Sequence, residues 1–241
     1  MPIITNEEKT VTEIAEKILP MCDEVFFEVG YFYFSGFEQI YKQLKDKKVN
    51  IMIGIDYDNT IRDLSRSNLA VKEHYFNYVK NDINNTNIID NQIGQDSYNL
   101  FVEKIKNGTL KIKCNKKKKN HSKIFIFKHS NKNKNTLPGK VIIGSSNFTR
   151  SGFLTNIESN HLFEDKVNYD GYYEIFKKHW NSDDCIDIAD DKSFNELNEK
   201  VLKKTWVNKN PTPYNLFIKV LDEYFHQKTT NAVFMPSKLT D

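Results

Sequence analysis

The sequence lacks a long apolar run, a signal peptide and cysteines at metal-ligand spacing. Its first ten residues, MPIITNEEKT, contain neither a basic segment nor an apolar one, and no later stretch approaches the roughly 18 apolar residues of a membrane span. We therefore expect a cytoplasmic protein that has no membrane partner. The three cysteines are scattered and odd in number, which argues against a disulfide framework. They are Cys22, Cys114 and Cys185, and we interpret them as reduced structural thiols.

Acidic residues are absent from the segment 110–150, which contains eleven lysines and one arginine. Because the whole chain has a net charge of +3, the residues outside this segment carry a net charge of −9. This uneven distribution makes the segment the natural place for an anionic ligand. Its densest part is the run Lys116, Lys117, Lys118 and Lys119. Considered alone, the run is equally well explained as a solvated loop in a chain that is rich in lysine and asparagine.

The first third of the chain has the pattern of a helix followed by a strand-helix-strand unit. Helical spacing of apolar residues predicts a helix over 11–19, with Asn6 as its N-cap. A dense β-type run over 25–34 leads to Ser35 and Glu38, whose spacing predicts a capping box at the start of a second helix. The apolar run over 49–55 is typical of a buried strand. This order favours a parallel pair of strands covered by helices.

The remaining elements predict an α/β fold in which a mixed, largely parallel sheet has helices on both faces. We expect residues 1–205 to form the catalytic domain and residues 206–241 to form a C-terminal helical extension, because apolar residues between 213 and 225 fall on one helical face. Predicted helices cover 62–78, 97–106, 169–180 and 194–203, and predicted strands cover 110–114, 122–128, 140–145 and 157–163.

Three short motifs in the second half of the chain carry the chemical information. His121 and Lys123 are two residues apart on a predicted strand, so their side chains are expected on the same face. A Gly-Ser-Ser-Asn turn after an apolar strand offers N–H groups, hydroxyls and an amide at the end of that strand, where α/β sheets commonly bind ligands. The motifs are His121-Ser122-Lys123, Gly144-Ser145-Ser146-Asn147 and the later Glu158.

In this order the motifs resemble the signature of the phospholipase D superfamily, which is His-x-Lys, then an Asp, then Gly-Ser-x-Asn. The resemblance spans roughly residues 10 to 182. The Asp of the family would fall at Lys128, so that acidic residue is missing here. The single-motif restriction endonucleases and the domains fused to Swi/Snf-type helicases share this gap and use a downstream Glu. Glu158 takes that place in this sequence.

The resemblance implies a nuclease that needs neither a metal nor another cofactor. His121 would attack phosphorus and form a phosphohistidine, and a second histidine would protonate the leaving oxygen. Only one His-x-Lys of the chain is followed by Gly-Ser-x-Asn, so the second histidine is expected from another subunit, which makes a homodimer a requirement. Lys123, Asn147 and Ser145 would hold the non-bridging oxygens. Glu158 would accept a hydrogen bond from the far ring nitrogen of the nucleophile.

The basic segment favours nucleic acid, and DNA in particular, as the substrate. We expect Ser146, Arg150 and the run 116–119 to bind it, in a restriction or phage-defence role, with a helicase or ATPase as a possible partner. One alternative is a hydrolase of phospholipids or other small phosphodiesters, and another is a catalytically silent module for nucleic-acid binding or dimerisation. Each motif residue taken singly has an ordinary structural explanation, and their joint order favours catalysis.

Overall fold

The computed structural model describes residues 3–54, 91–117, 120–132 and 137–189, together with the isolated positions 72, 217, 220, 221 and 224. The helices predicted over 62–78 and 194–203 and the predicted extension 206–241 therefore lie outside the described residues, apart from these isolated positions. Within the described part of the chain, no helix is long and apolar enough to cross a membrane.

One mixed sheet of eight strands organises the described residues, in the order β1-β7-β6-β5-β2-β3-β4-β8. Parallel pairing joins β2 to β3 and β3 to β4, and the other neighbours are antiparallel. The mixed sheet is confirmed, but its parallel part is smaller than predicted. One reason is that only nine residues connect β5 to β6, which is too short for a parallel crossover, and the two strands pair antiparallel. The strands are β1 (Ile3–Ile4), β2 (Cys22–Val29), β3 (Lys48–Ile53), β4 (Leu110–Asn115), β5 (Lys123–His129), β6 (Gly139–Gly144), β7 (Asn160–Phe163) and β8 (Cys185–Asp187).

Helices cover both faces of this sheet, as predicted. Three of them bury apolar residues such as Phe37 and Phe101 against one face, where they meet Phe27 of β2. The fourth packs on the opposite face, where the rings of Phe26 and Phe176 have centroids 5.3 Å apart. In the described part of the chain these helices are α1 (Val11–Ile18), α2 (Phe34–Leu44), α3 (Gln92–Lys106) and α4 (Lys166–Trp180).

The starts of the first two helices differ from the prediction. Thr10, not Asn6, is the N-cap of α1, and it forms a capping box with Glu13. Asn6 lies at a positive φ of 61° and accepts a hydrogen bond from the backbone N–H of Val11 at 3.1 Å. The capping box predicted from Ser35 is also wrong, because this residue already lies inside α2. Thr10 is the better cap because its extended backbone aims the side chain at the free N–H groups.

The strand registers bring several strand ends to the same edge of the sheet. Val29, at the end of β2, is paired with Ile53 at the end of β3 and with Lys123 at the start of β5. Gly144, at the end of β6, is paired with Asn160 at the start of β7. This edge, which we call the carboxyl edge, therefore gathers the carboxyl ends of β2, β3 and β6 and the amino ends of β5 and β7.

Candidate active site at the carboxyl edge

The His-x-Lys motif lies at the carboxyl edge, with only its lysine on a strand. Lys123 is the first residue of β5, and its Nζ donates a hydrogen bond to the backbone carbonyl of His121 at 2.7 Å. Because it is paired with Val29, Lys123 shares the sheet face that α1, α2 and α3 cover. His121 precedes the strand and is exposed. Its imidazole makes no hydrogen bond or ion pair with any described residue.

Two glycines allow the backbone before His121 to pack tightly against the sheet. A Cβ on Gly54 would lie 2.1 Å from the carbonyl oxygen of Asn120 and 2.7 Å from that of Gly30. A Cβ on Gly30 would lie 3.4 Å from the Cα of His121 and 3.3 Å from Oδ1 of Asn147. The glycines follow the ends of β2 and β3, so they bring the two motifs together. Sequence reasoning missed this role, although a glycine directly after each of two parallel strands was a usable signal.

Asn120 shapes the chain between the two glycines and β5. Its Oδ1 accepts a hydrogen bond from the backbone N–H of Ser122 at 2.9 Å, which closes an Asx turn around His121. Its Nδ2 is buried without a partner among the described residues. The turn gives His121 a defined backbone direction, and this residue was also missed by sequence reasoning.

The Gly-Ser-Ser-Asn turn connects three parts of the carboxyl edge. A Cβ on Gly144 would lie 2.2 Å from the carbonyl oxygen of Ser159, so only glycine fits this close approach to the start of β7. The Ser145 hydroxyl donates to Glu158 and accepts from the backbone N–H of Ser159 at 2.9 Å. Asn147 reaches the loop after β2, where its Oδ1 accepts from the backbone N–H of Tyr31 at 3.2 Å.

Ser146 supports this turn from the inside. It has no exposed surface, and its hydroxyl donates to the carbonyl of Gly152 at 2.8 Å while accepting from Nδ2 of Asn160 at 2.9 Å. Asn160 is also fully buried and accepts from the Ser146 N–H at 3.2 Å. The predicted contact between Ser146 and a substrate is therefore not available to its side chain, because sequence alone does not separate an exposed turn serine from a buried one.

The sequence predicted a strand over 157–163 that includes Glu158, but β7 begins at Asn160, so Glu158 lies in the turn before the strand. Its carboxylate accepts from the Ser145 hydroxyl and from Nδ2 of Asn156, the latter at 3.4 Å. His121 is not among its partners in the described residues, so its predicted contact with the imidazole stays a prediction. The carboxylate lies at the same turn as Ser145 and therefore at the carboxyl edge.

The predicted basic groups divide into exposed and paired ones. Arg150 is exposed, and its backbone N–H donates to the Ser35 hydroxyl at 3.4 Å. Lys117 forms an ion pair with Asp184 at 2.8 Å, and this hydrogen bond raises the pKa of the lysine. Lys116 directly follows the end of β4 at the carboxyl edge, whereas residues 118 and 119 lie outside the described residues.

Lys128, which stands where the family has an acidic residue, is remote from this edge. It is five residues after Lys123 on β5, a distance of about 17 Å along a strand. Its Nζ forms an ion pair with Glu24 across the strand pair at 2.7 Å, and this hydrogen bond raises the pKa of Lys128. The replacement of the acidic residue therefore removes no group from the neighbourhood of His121.

The described residues contain no group of three or more histidine, cysteine, aspartate or glutamate side chains that could hold a metal ion. The prediction of a metal-free reaction thus rests on the motif and stays a prediction. What the carboxyl edge offers is an exposed imidazole, an ammonium group and side-chain amides, which is a set suited to binding an anion and attacking it.

A family model described as the phospholipase D-like domain of cardiolipin synthase matches residues 23–180. Because this is more than half of the chain, the protein belongs to the phospholipase D-like family, and the predicted resemblance is confirmed. The members of this superfamily are enzymes that act on phosphodiesters. No curated protein sequence matches the chain.

The solved structures to which this chain is similar share little sequence with it. Phosphatidylserine synthase from Haemophilus influenzae is 12% identical with a TM-score of 0.51, and the match covers 95% of this chain and 45% of that one. Nuc from Salmonella typhimurium, a phospholipase D family member, is 12% identical with a TM-score of 0.46, covering 77% and 95% of the two chains. NucT from Helicobacter pylori is 12% identical with a TM-score of 0.41, covering 77% and 97%. At this identity the likeness to the Haemophilus structure concerns the fold alone.

The close packing at Gly54 predicts that the fold is sensitive to a larger side chain at this position. We expect Gly54→Ala to lower the free energy of unfolding by about 2 kcal/mol or more, since the new Cβ would collide with two backbone carbonyls. The matched control is Gly171→Ala in α4, where a Cβ meets nothing within 4 Å and the helix should gain about 0.5–1 kcal/mol. Urea unfolding measures both, and equal effects of the two changes would contradict the described packing.

Proposed function

We propose that the protein is a metal-independent phosphodiesterase that cleaves nucleic acid, with DNA preferred, through a covalent bond to His121. The observation that carries the proposal is the arrangement at Gly30, where a Cβ would lie 3.4 Å from the Cα of His121 and 3.3 Å from Oδ1 of Asn147, so both residues stand next to the same glycine. Lys123 adjoins them through its bond to the His121 carbonyl. A nucleophile, a cation and an amide donor thus serve one phosphate.

The reaction takes two displacement steps at phosphorus. In the first, an unprotonated ring nitrogen of His121 forms a bond to phosphorus, the bond from phosphorus to the leaving oxygen breaks, and a second imidazole protonates that oxygen. In the second, the same imidazole takes a proton from water as its oxygen attacks phosphorus, and the N–P bond breaks. Lys123 and Asn147 stabilise the non-bridging oxygens, where negative charge increases in both steps.

The second imidazole is supplied in this proposal by His121 of the partner subunit. The support is that one His-x-Lys of the chain, His121-Ser122-Lys123, is followed by Gly-Ser-x-Asn, and that His121 is exposed at the carboxyl edge, where a two-fold related copy has access to it. Glu158 would fix the ring of the nucleophile after its side chain turns from Ser145 toward the imidazole.

Nucleic acid is favoured as the substrate because the positive charge collects around the motif. The segment 110–150 has no acidic residue, Lys116 follows β4 at the carboxyl edge, and Arg150 is exposed three residues after Asn147. Such a surface attracts a polyanion more strongly than a single phosphodiester. The remaining parts of the proposal are a restriction or phage-defence role in the cytoplasm and a helicase or ATPase as a partner.

A second candidate function is cleavage or transfer at a phospholipid. Two observations favour it. The matching family model is named after cardiolipin synthase, an enzyme of lipid metabolism, and the Haemophilus structure of the same fold is a phosphatidylserine synthase. The chemistry at phosphorus is the same for both substrates, so the two functions differ in what lies beyond the phosphate.

Incubation in excess EDTA with labelled DNA, RNA and phospholipid vesicles tests the proposal. We expect the wild type to cut DNA fastest in the absence of divalent metal, and His121→Ala to lose at least about a thousandfold in rate because the nucleophile is gone. His161→Ala, an exposed histidine on β7, is the control. Turnover of phospholipid alone would favour the second candidate, and DNA binding without any cleavage would favour the silent module.

Mixed dimers test the shared site. When wild-type and His121→Ala chains are co-refolded in equal amounts, we expect the activity to fall to about one quarter of that of the wild type alone, because mixed dimers lack one of the two imidazoles. Independent sites would give about one half. Sedimentation of the wild type gives the second readout, and a fully active monomer would exclude the dimeric mechanism.

A further inference from the structure

A cavity of about 380 Å³ lies between α1, α2 and α3, on the helical side of the sheet that Lys123 also faces. This volume is near the lower end of the range for small-ligand sites. Nine residues from these helices and from the turn after Asn147 line the cavity. They are Glu16, Glu38, Gln39, Tyr41, Lys42, Gln43, Asn91, Ile93 and Arg150.

The cavity adjoins the candidate active site through the residues that follow Asn147. Arg150 is three residues further along the chain, so the two Cα atoms are at most about 11 Å apart. The backbone of this turn is tied to the start of α2, because the N–H of Tyr33 donates to the carbonyl of Phe148 at 2.9 Å and the N–H of Arg150 donates to Ser35. Arg150 therefore places one wall of the cavity within about 11 Å of Asn147 along the chain, a distance that one or two nucleotides of a bound strand would span.

The polar groups of the cavity include donors and acceptors of both charge signs. The pKa of Glu38 is raised above its ordinary value by burial, and the positive charge of Arg150 offsets part of this rise. Gln39 donates from Nε2 to the Ser35 carbonyl at 3.3 Å, and Gln43 donates from Nε2 to Glu16 at 3.0 Å. Oε1 of Gln43 is buried with no partner among the described residues. The guanidinium of Arg150 makes no hydrogen bond or ion pair with them.

Apolar surface completes the lining. Ile93, at the start of α3, leaves 54% of its surface exposed, and Tyr41 of α2 adds an aromatic ring that is otherwise buried. An exposed apolar side chain in the same cavity as polar groups suits a flat ligand that makes van der Waals contact through its face and hydrogen bonds at its edge. A bare phosphate gains no net charge attraction here, because the carboxylates of Glu16 and Glu38 offset the positive charges of Lys42 and Arg150.

We propose that this cavity binds one unpaired base of the substrate strand, next to the phosphate that is cut. A nucleobase is neutral and flat, and its edge presents donors to a carboxylate and acceptors to an arginine. The inference rests on the proposed function, since it assigns the nuclease a subsite that selects the base beside the cleavage point. It also implies that the substrate is single-stranded or locally opened at this position.

A binding experiment tests the subsite without requiring cleavage. The full chain carrying His121→Ala is titrated with fluorescent single-stranded DNA in which one abasic position is moved stepwise along the strand. We expect one position to weaken binding by about tenfold, the effect of losing one stacked base. The same titration is repeated with Glu38→Gln and Gln39→Ala added to the His121→Ala chain. In this variant the abasic position should weaken binding by less than about twofold, because the cavity substitutions and the abasic site remove the same interaction.

The control variant is Glu103→Gln, an exposed carboxylate on α3 outside the cavity, which should leave the abasic penalty at about tenfold. If Glu38→Gln with Gln39→Ala does not fold by circular dichroism, Gln39→Ala alone is used in its place. The subsite is excluded if no abasic position weakens binding, or if the penalty is the same in the cavity variant. Cleavage by the wild type is measured separately. If the wild type does not cut but one abasic position still weakens binding, the proposed nuclease activity is refuted and the base-binding subsite is supported.

Discussion

The close packing of the Asn120–His121 backbone on two glycines is the constraint on which the rest of the site depends. Gly30 and Gly54 follow the two central parallel strands, and neither position has room for a Cβ without displacing its neighbours. This contact brings the His-x-Lys motif of β5 next to Asn147, which lies beyond β6. The sheet registers give the approximate alignment of these elements, and the glycines allow the backbone at His121 to come close to Asn147.

The sequence predicted the fold class and the strands beside which the motifs lie, because both are encoded locally. Strand-helix-strand order correctly gave the parallel pair β2 and β3, and the motifs were placed on or next to the right strands. The errors arose where contacts distant in sequence decide the outcome. Ser146 is buried by Gly152 and Asn160, and the approach of Asn120 to Gly54 joins residues that are more than sixty positions apart. No pattern within a short window contains such information.

The charges near the motif show why composition alone does not define a binding surface. Lys117 belongs to the basic run, yet Asp184 pairs with it across the β4–β8 end of the sheet. Lys128 replaces an acidic residue of the family and is paired with Glu24 well away from the carboxyl edge. Among the described residues, Lys116, Lys123 and Arg150 are basic groups at the edge itself, and none of them forms an ion pair with a described residue.

The most direct test of the account is detection of the covalent intermediate. Wild-type protein is mixed with a large excess of 32P-labelled DNA in EDTA, quenched rapidly in alkali, digested and analysed by mass spectrometry. The account predicts a phosphoryl-linked nucleotide on the peptide that contains His121, with the label lost in acid as expected of a phosphohistidine. Cleavage of the DNA with no label on this peptide at any quench time, or with label on another residue, would contradict it.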